Sequence, residues 1–269
     1  VLLKRLVFFG GKGGVGKSTL ACALSLALSE FGKTLLLSID PAHSLSHIMQ
    51  TELNVSPKEV KENLYAAELD GERLVIDYAE RVLRSLKELV PSLGSGLREY
   101  ARYMASSPTA LDTAMLDRVV DFLYEGYDYV VLDSAPTGQM VRLFQTMHMV
   151  SAWFDLLQKV AKSRAKVEAF MGREDNLTRL IASRKERIEL LIKTIRERGL
   201  LLIVANEEPL SLQEAKELQE KLEGTVKVIR VMNRSMSKGA LTVEYVESPY
   251  GLEGLKRLKL ERLIQEVLT

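Results

Sequence analysis

The run GGKGGVGKST, Gly10 to Thr19, limits the folds open to this chain more than any other feature. Over Gly11 to Ser18 it carries the spacing G-x-x-x-x-G-K-[ST]. Glycines at that spacing let successive backbone N–H groups converge on phosphate oxygens without Cβ interference. Such a loop needs a buried strand to deliver the chain and a helix N-terminus to receive it, since the helix end adds partial positive charge. Both flanks are present. Leu2 to Phe9 is an apolar run ending in glycines, and Ser18 to Glu30 reads as a helix with Leu20, Leu24, Ala27 and Leu28 on one face and Gly32 beyond its end. Gly11, Gly13, Gly14, Val15, Gly16, Lys17, Ser18 and Thr19 are therefore the expected nucleotide contacts. Lys17 is expected to reach the β- and γ-phosphates of ATP, and Ser18 to offer its hydroxyl to Mg²⁺.

Further buried strands are expected at 33–40, 64–69, 127–133, 200–205 and 226–232, where short apolar runs are bounded by turn residues. Helical periodicity fills 72–89, 110–124, most of 138–199 in three pieces, 211–222 and 252–267. Alternating strands and helices predict an α/β fold, a doubly wound, mostly parallel sheet with helices on both faces. Residues 1–269 read as a single phosphate-loop domain. Two helical stretches, about 72–126 and 143–199, exceed what crossovers require and are expected to form a helical layer or subdomain.

Two strands end on carboxylates. Asp40 opens DPAHS, and Asp133 opens DSAPTGQ. In an open α/β sheet ligands lie at the carboxyl ends of strands, so both aspartates are expected to face the phosphates. Asp133 suits a carboxylate that holds Mg²⁺ through water, and Asp40 one that orients or deprotonates the attacking water.

The composition excludes several function classes. The formal net charge is +1 over 269 residues, so no global field draws the chain to nucleic acid or an anionic membrane, and no nucleic-acid partner is expected. No apolar run reaches the ~18 residues of a membrane span, and the opening stretch reads as a buried strand and not as a signal peptide. The one cysteine, Cys22, allows neither a disulfide framework nor a cysteine metal cluster, in keeping with a cytoplasmic location. The histidines His43, His47 and His148 are too scattered for a metal site.

The form K-G-G-x-G-K-[ST], from Lys12 to Ser18, resembles the deviant phosphate loop of dimeric ATPases that include nitrogenase iron protein, the MinD and ParA partition ATPases and the arsenical pump family. That resemblance implies a homodimer in which Lys12 reaches the partner's nucleotide. S-I-D-P-A-H-S at 38–44 and D-S-A-P-T-G at 133–138 look like the two switches of the arsenical pump and GET-pathway ATPases, the latter targeting tail-anchored membrane proteins. Partition ATPases usually lack both. By the same resemblance Asn233 and Pro249 contact adenine, while Pro41, Ala42, His43 and Ser44, then Pro136, Thr137, Gly138 and Gln139, form the switches. The likeness runs from Leu2 to about Leu263. It has departures. No C-x-x-C pair is present for a zinc clasp, so no zinc is expected. The cysteines of the arsenite pump are missing. Gln139 stands where the family commonly has histidine, and Ser44 where it usually has asparagine.

Six of nine methionines fall between 104 and 171 (Met104, Met115, Met140, Met147, Met149, Met171), near Trp153, Phe154, Leu157, Val160, Val167 and Phe170 at helical spacing. They read either as core or as a pliable surface for an apolar client. The basic positions Lys185, Arg187, Lys193, Arg196 and Arg198 are expected to be solvated. The resemblance thus implies an Mg²⁺-dependent ATPase coupled to capture of transmembrane segments and meeting a membrane receptor. The alternatives are a regulatory ATPase that activates a membrane pump or protein complex without an apolar client, and a partition-type ATPase.

Overall fold

The computed structural model describes residues 3–38, 44–89, 110–133, 176–235 and 241–269, with single positions between 141 and 159. Eight strands form one sheet: β1 Arg5–Gly10, β2 Thr34–Ser38, β3 Lys58–Lys61, β4 Leu64–Glu68, β5 Tyr129–Asp133, β6 Gly199–Ala205, β7 Lys227–Asn233 and β8 Thr242–Val243. Their order is β3-β4-β2-β5-β1-β6-β7-β8, parallel throughout except for β3 against β4. The doubly wound parallel reading holds. Every residue of β2, β5 and β6 is buried, as strands covered on both faces require.

β3 was not expected. Its sequence KEVK carries no apolar run, because it is a half-exposed antiparallel edge with a register shift between Glu59 and Lys61. Charge and irregularity of this kind blunt an open sheet edge.

Helix α1, Lys17–Leu28, follows the loop. The expected single apolar face is too narrow a description, since almost every residue from Leu20 to Leu28 is buried. The helix lies between the sheet face bearing Val7, Leu36, Val131 and Leu200 and a cover that includes Leu45, Ile48, Leu255, Leu263 and Val267. A helix apolar on all sides belongs in such a place. The other sheet face is met by the helix Pro209–Leu222, whose Leu218 packs by Gly10 and Leu201.

The last predicted helix is broken. Gly251–Leu255 and Glu261–Leu268 are separate helices, and Leu255, Leu258, Leu260 and Leu263 are all buried. On one continuous helix, residues 255 and 260 would point about 140° apart. The break lets both face the core.

The chain divides into two compact units: Val1–Asp70 with Phe122–Val141 and Thr194–Thr269, and Gly71–Asp121 with Arg142–Lys193. The first holds the sheet. Within the second, Arg81, Arg184 and Arg187 converge on two aspartates. Arg187 lies 2.7 Å from Asp121 and 3.2 Å from Asp117, Arg184 lies 3.1 Å from Asp117, and Arg81 lies 3.1 Å from each. The solvated reading is therefore corrected at Lys185 and Arg187, whereas Lys193, Arg196 and Arg198 are exposed. Arg187 is mostly buried, Lys185 pairs with Asp155 at 2.8 Å, and Arg198 donates to the Leu3 carbonyl.

Candidate functional site

The phosphate loop stands at the carboxyl end of the central strand β1, and its shape is set from behind. Gly11 has φ +135°, and a Cβ there would lie 2.2 Å from the Val204 carbonyl oxygen of β6. Gly16 has φ +93°, and a Cβ there would lie 2.3 Å from Asn233 Nδ2. Neither position admits a side chain, which explains those two glycines physically. Asn233, buried at the end of β7, donates Nδ2–H to the Val15 carbonyl at 2.8 Å. The Leu20 N–H then makes the first helical bond to Gly16 O at 3.0 Å. Gly16 supplies no side-chain cap to α1. A helix N-terminus of this kind is suited to an anion.

Lys17 is buried at 7% exposure and donates its Nζ to the Lys12 carbonyl at 3.1 Å. Gly13 and Gly14 are exposed at the loop crest, while Ser18 and Thr19 are half-buried at the helix start. The Lys12 side chain turns the other way and meets Glu208 Oε2 at 3.3 Å.

The strand register assembles a polar row beside the loop. Phe9 of β1 is level with Asp133 of β5, Asp133 with Ser38 of β2, and Ser38 with Glu68 of β4. One step back, Val7, Val131, Leu36 and Ala66 form the apolar row beneath it. Asp133, Ser38 and Glu68 are all buried. Their field reaches Cys22 on α1. Burial pushes that thiol well above its ordinary value, and the Asp133 and Glu68 carboxylates push it further.

Glu68 is a site-building residue that the sequence reading left without a role. Its carboxylate accepts the Ser46 N–H at 3.0 Å and the Ser46 hydroxyl at 2.6 Å, while Leu53 N–H donates to that hydroxyl oxygen at 3.2 Å. Ser46 lies in the short helix Ser44–Met49, which begins at the last residue of the DPAHS segment. The available signal was that β4, like β2 and β5, ends near a carboxylate. Glu207 and Glu208 were missed as well. Glu207 accepts the Ser235 hydroxyl at 2.5 Å, just beyond Asn233.

Pro249 is half-buried in the loop before Gly251–Leu255. The next ring, Tyr250, makes an edge contact with His47 at 5.2 Å. Asp40, Pro41, Ala42 and His43 lie outside the described residues, as do Pro136, Thr137, Gly138 and Gln139. Ser44 is the first residue of the helix Ser44–Met49.

Of the methionine-rich stretch, Met115 and Met147 are buried, whereas Met149 is 69% exposed and Leu156 59%. Met104, Met140, Met171, Trp153, Phe154, Leu157, Val160, Val167 and Phe170 lie outside the described residues. Among the described residues, no helix is long and apolar enough to cross a membrane, and no cluster of three His, Cys, Asp or Glu side chains could hold a metal. A Mg²⁺ ion does not need such a cluster. It takes one or two protein oxygens together with substrate phosphates and water, and a hydroxyl at the helix start with a carboxylate at a neighbouring strand end fits that donor set.

Residues 4–236 match the family model described as anion-transporting ATPase. A protein of Aquifex aeolicus, provisionally named arsenical pump-driving ATPase 2, is 33% identical over 227 residues, which cover 81% of this chain and 75% of that relative. A Halobacterium salinarum protein provisionally named arsenical pump-driving ATPase is 34% identical over 182 residues, covering 64% of this chain but 28% of its own length. ATPase asna-1 of Caenorhabditis elegans is 34% identical over 152 residues, covering 52% and 44%. The chain thus spans less than half the length of the second and third of these relatives.

Proposed function

Because this chain belongs to the anion-transporting ATPase family and is an ATPase, we propose that it hydrolyses ATP as a Mg²⁺-dependent, nucleotide-gated homodimer. The observation that carries this reading is the division of labour between two lysines in one loop. Lys17 is buried under the phosphate cradle, and Lys12 extends away from it. A lysine turned away from its own site is useful when a second triphosphate lies opposite. Charge supplied only in the closed dimer stabilises the transition state and not the resting chain.

In this reading Asp40 places the attacking water, and Lys17 with Lys12 of the partner subunit neutralises developing charge on the γ-phosphate. Ser18 and, through water, Asp133 would hold Mg²⁺, whose contribution is to neutralise the β- and γ-phosphate oxygens. The Asn233 amide nitrogen is committed to the loop, which leaves its Oδ1 to accept from the adenine amino group, with Pro249 against the base. The switches 40–44 and 133–139 order around the γ-phosphate, and Glu68 anchors the helix after the first of them through Ser46.

The coupled work is capture or targeting of hydrophobic membrane-protein segments in the cytoplasm. The exposed Met149 and Leu156, with Ile76 at 49% exposure, support an apolar client surface on the helical unit. A second reading, an ATPase that drives a membrane pump, is favoured by the names of the Aquifex and Halobacterium relatives. An Asp40→Asn form loaded with ATP, incubated with a photo-crosslinking transmembrane peptide, separates them. The client reading predicts nucleotide-dependent crosslinks that map to 142–160. Crosslinks to an intact membrane complex alone support the pump reading.

A further inference from the structure

We propose that Glu208 is a positioning residue that holds the Lys12 ammonium back until the phosphates of a second copy draw it away; this rests on the reading that Lys12 acts across the dimer. Lys12 Nζ lies 3.3 Å from Glu208 Oε2, and no other ion-pair partner of Lys12 is found among the described residues.

The two residues are 196 positions apart in the chain, and the backbone pins both. At the loop, the Lys12 carbonyl accepts from Lys17 Nζ, and the preceding Gly11 sits against Val204 with no room for a side chain. At the other end, the Glu208 carbonyl accepts the Leu212 N–H at 3.1 Å at the start of the helix Pro209–Leu222. On either side of Glu208, Glu207 accepts from Ser235, and the Asn206 N–H donates to the Ser211 hydroxyl at 3.1 Å. The parallel pairing of Gly10 with Ile203 fixes the spacing between loop and turn. The two side chains alone therefore decide whether the pair forms.

The pair is open to water, with side-chain exposures of 30% and 62%. An exposed ion pair of this sort biases an equilibrium by up to about five-fold. A triphosphate in a closed interface carries several negative charges in a poorer dielectric and is the stronger partner. The contact is thus strong enough to retain Lys12 in a single chain and weak enough to yield on assembly. It ties hydrolysis to the arrival of the second copy.

The test measures turnover of the wild type, Glu208→Gln, Lys12→Ala and the double variant against protein concentration, at low and high salt. Glu208→Gln should raise turnover at limiting protein by about two- to five-fold and lower the half-maximal protein concentration by a similar factor. The gain should vanish in the Lys12→Ala background. It should also shrink at high salt, where screening brings the wild type up to the variant. A fold requirement alone would give none of these dependences. Unchanged or lower turnover for Glu208→Gln, with Lys12→Ala still impaired, overturns the role of Glu208 and leaves the across-dimer reading standing. Wild-type turnover by Lys12→Ala overturns that reading, and the proposal with it.

Discussion

The side-chain amide of Asn233, at the end of β7, donates to the backbone carbonyl of Val15 at 2.8 Å and so ties down the buried end of a phosphate loop 218 residues earlier. The same nitrogen occupies the space that a Cβ on Gly16 would need. Loop shape therefore depends on a strand two places away in the sheet, and the end of β7 is mechanically joined to the phosphate site.

Asn233→Ala should weaken nucleotide binding by about 1–2 kcal/mol, roughly the value of a buried hydrogen bond whose acceptor is left unpaired. Titration with a fluorescent ATP analogue would read this as a rise in Kd of about ten-fold, with the melting temperature of the nucleotide-free protein falling only slightly. Wild-type affinity in the variant would mean that the loop holds its form without β7.

Much of the fold was legible in the sequence. The strands at 34–38, 129–133 and 199–205 are continuous apolar runs with turn residues at their ends, and full burial is what such runs demand. The loop was legible because its chemistry is written in ten consecutive residues. The parts that escaped are of two kinds. β3 and the broken C-terminal helix are local patterns overridden by tertiary context, one by an edge position and the other by four leucines that all have to reach the core. Glu68 with Ser46, Glu208 with Lys12 and Asn233 with Val15 are pairs 22, 196 and 218 residues apart. No periodicity links their members, because only the strand register brings them together. Arg187 was misread for a related reason. A basic residue interleaved with glutamates looks solvated until helix packing sets two aspartates beside it.

Asp121 gives the helical unit a pH-dependent stability. Burial would raise the Asp121 carboxyl, but Arg187 and then Arg81 outweigh it and hold the group below its ordinary value. The folded carboxyl therefore titrates below its unfolded value of about 3.9. Its contribution is present above that pH and is lost as the pH falls through the lowered value. Asp121→Asn should cost about 1–3 kcal/mol near neutral pH. Melting curves of variant and wild type should converge as the pH falls through that lowered value. A constant offset across the whole range would assign the loss to packing instead.

Cys22 should be inert. It is fully buried in α1, and its thiol is held protonated by burial and by the neighbouring Asp133 and Glu68 carboxylates. In the folded protein it should react with a maleimide only at the rate of global opening. With no second cysteine in this chain, arsenite should neither bind tightly nor accelerate ATP turnover. Arsenite stimulation that persists in Cys22→Ser would remove the argument from cysteine content.

If one chain's Lys12 completes the other chain's site, two dead variants should complement each other. Lys12→Ala alone should lose most of its turnover. Asp40→Asn alone should bind ATP, form the dimer and fail to hydrolyse. In a mixed dimer, the site on the Lys12→Ala chain keeps its own Asp40 and receives Lys12 of the partner subunit, so it is whole, whereas the opposite site lacks both residues. Equal mixing should form half the dimers as heterodimers with one working site each. Turnover should recover to about one quarter of wild type, on the order expected if each intact site regains its full transition-state stabilisation. A mixture as inactive as either parent, with heterodimers demonstrated by mass, would contradict the action of Lys12 across the dimer.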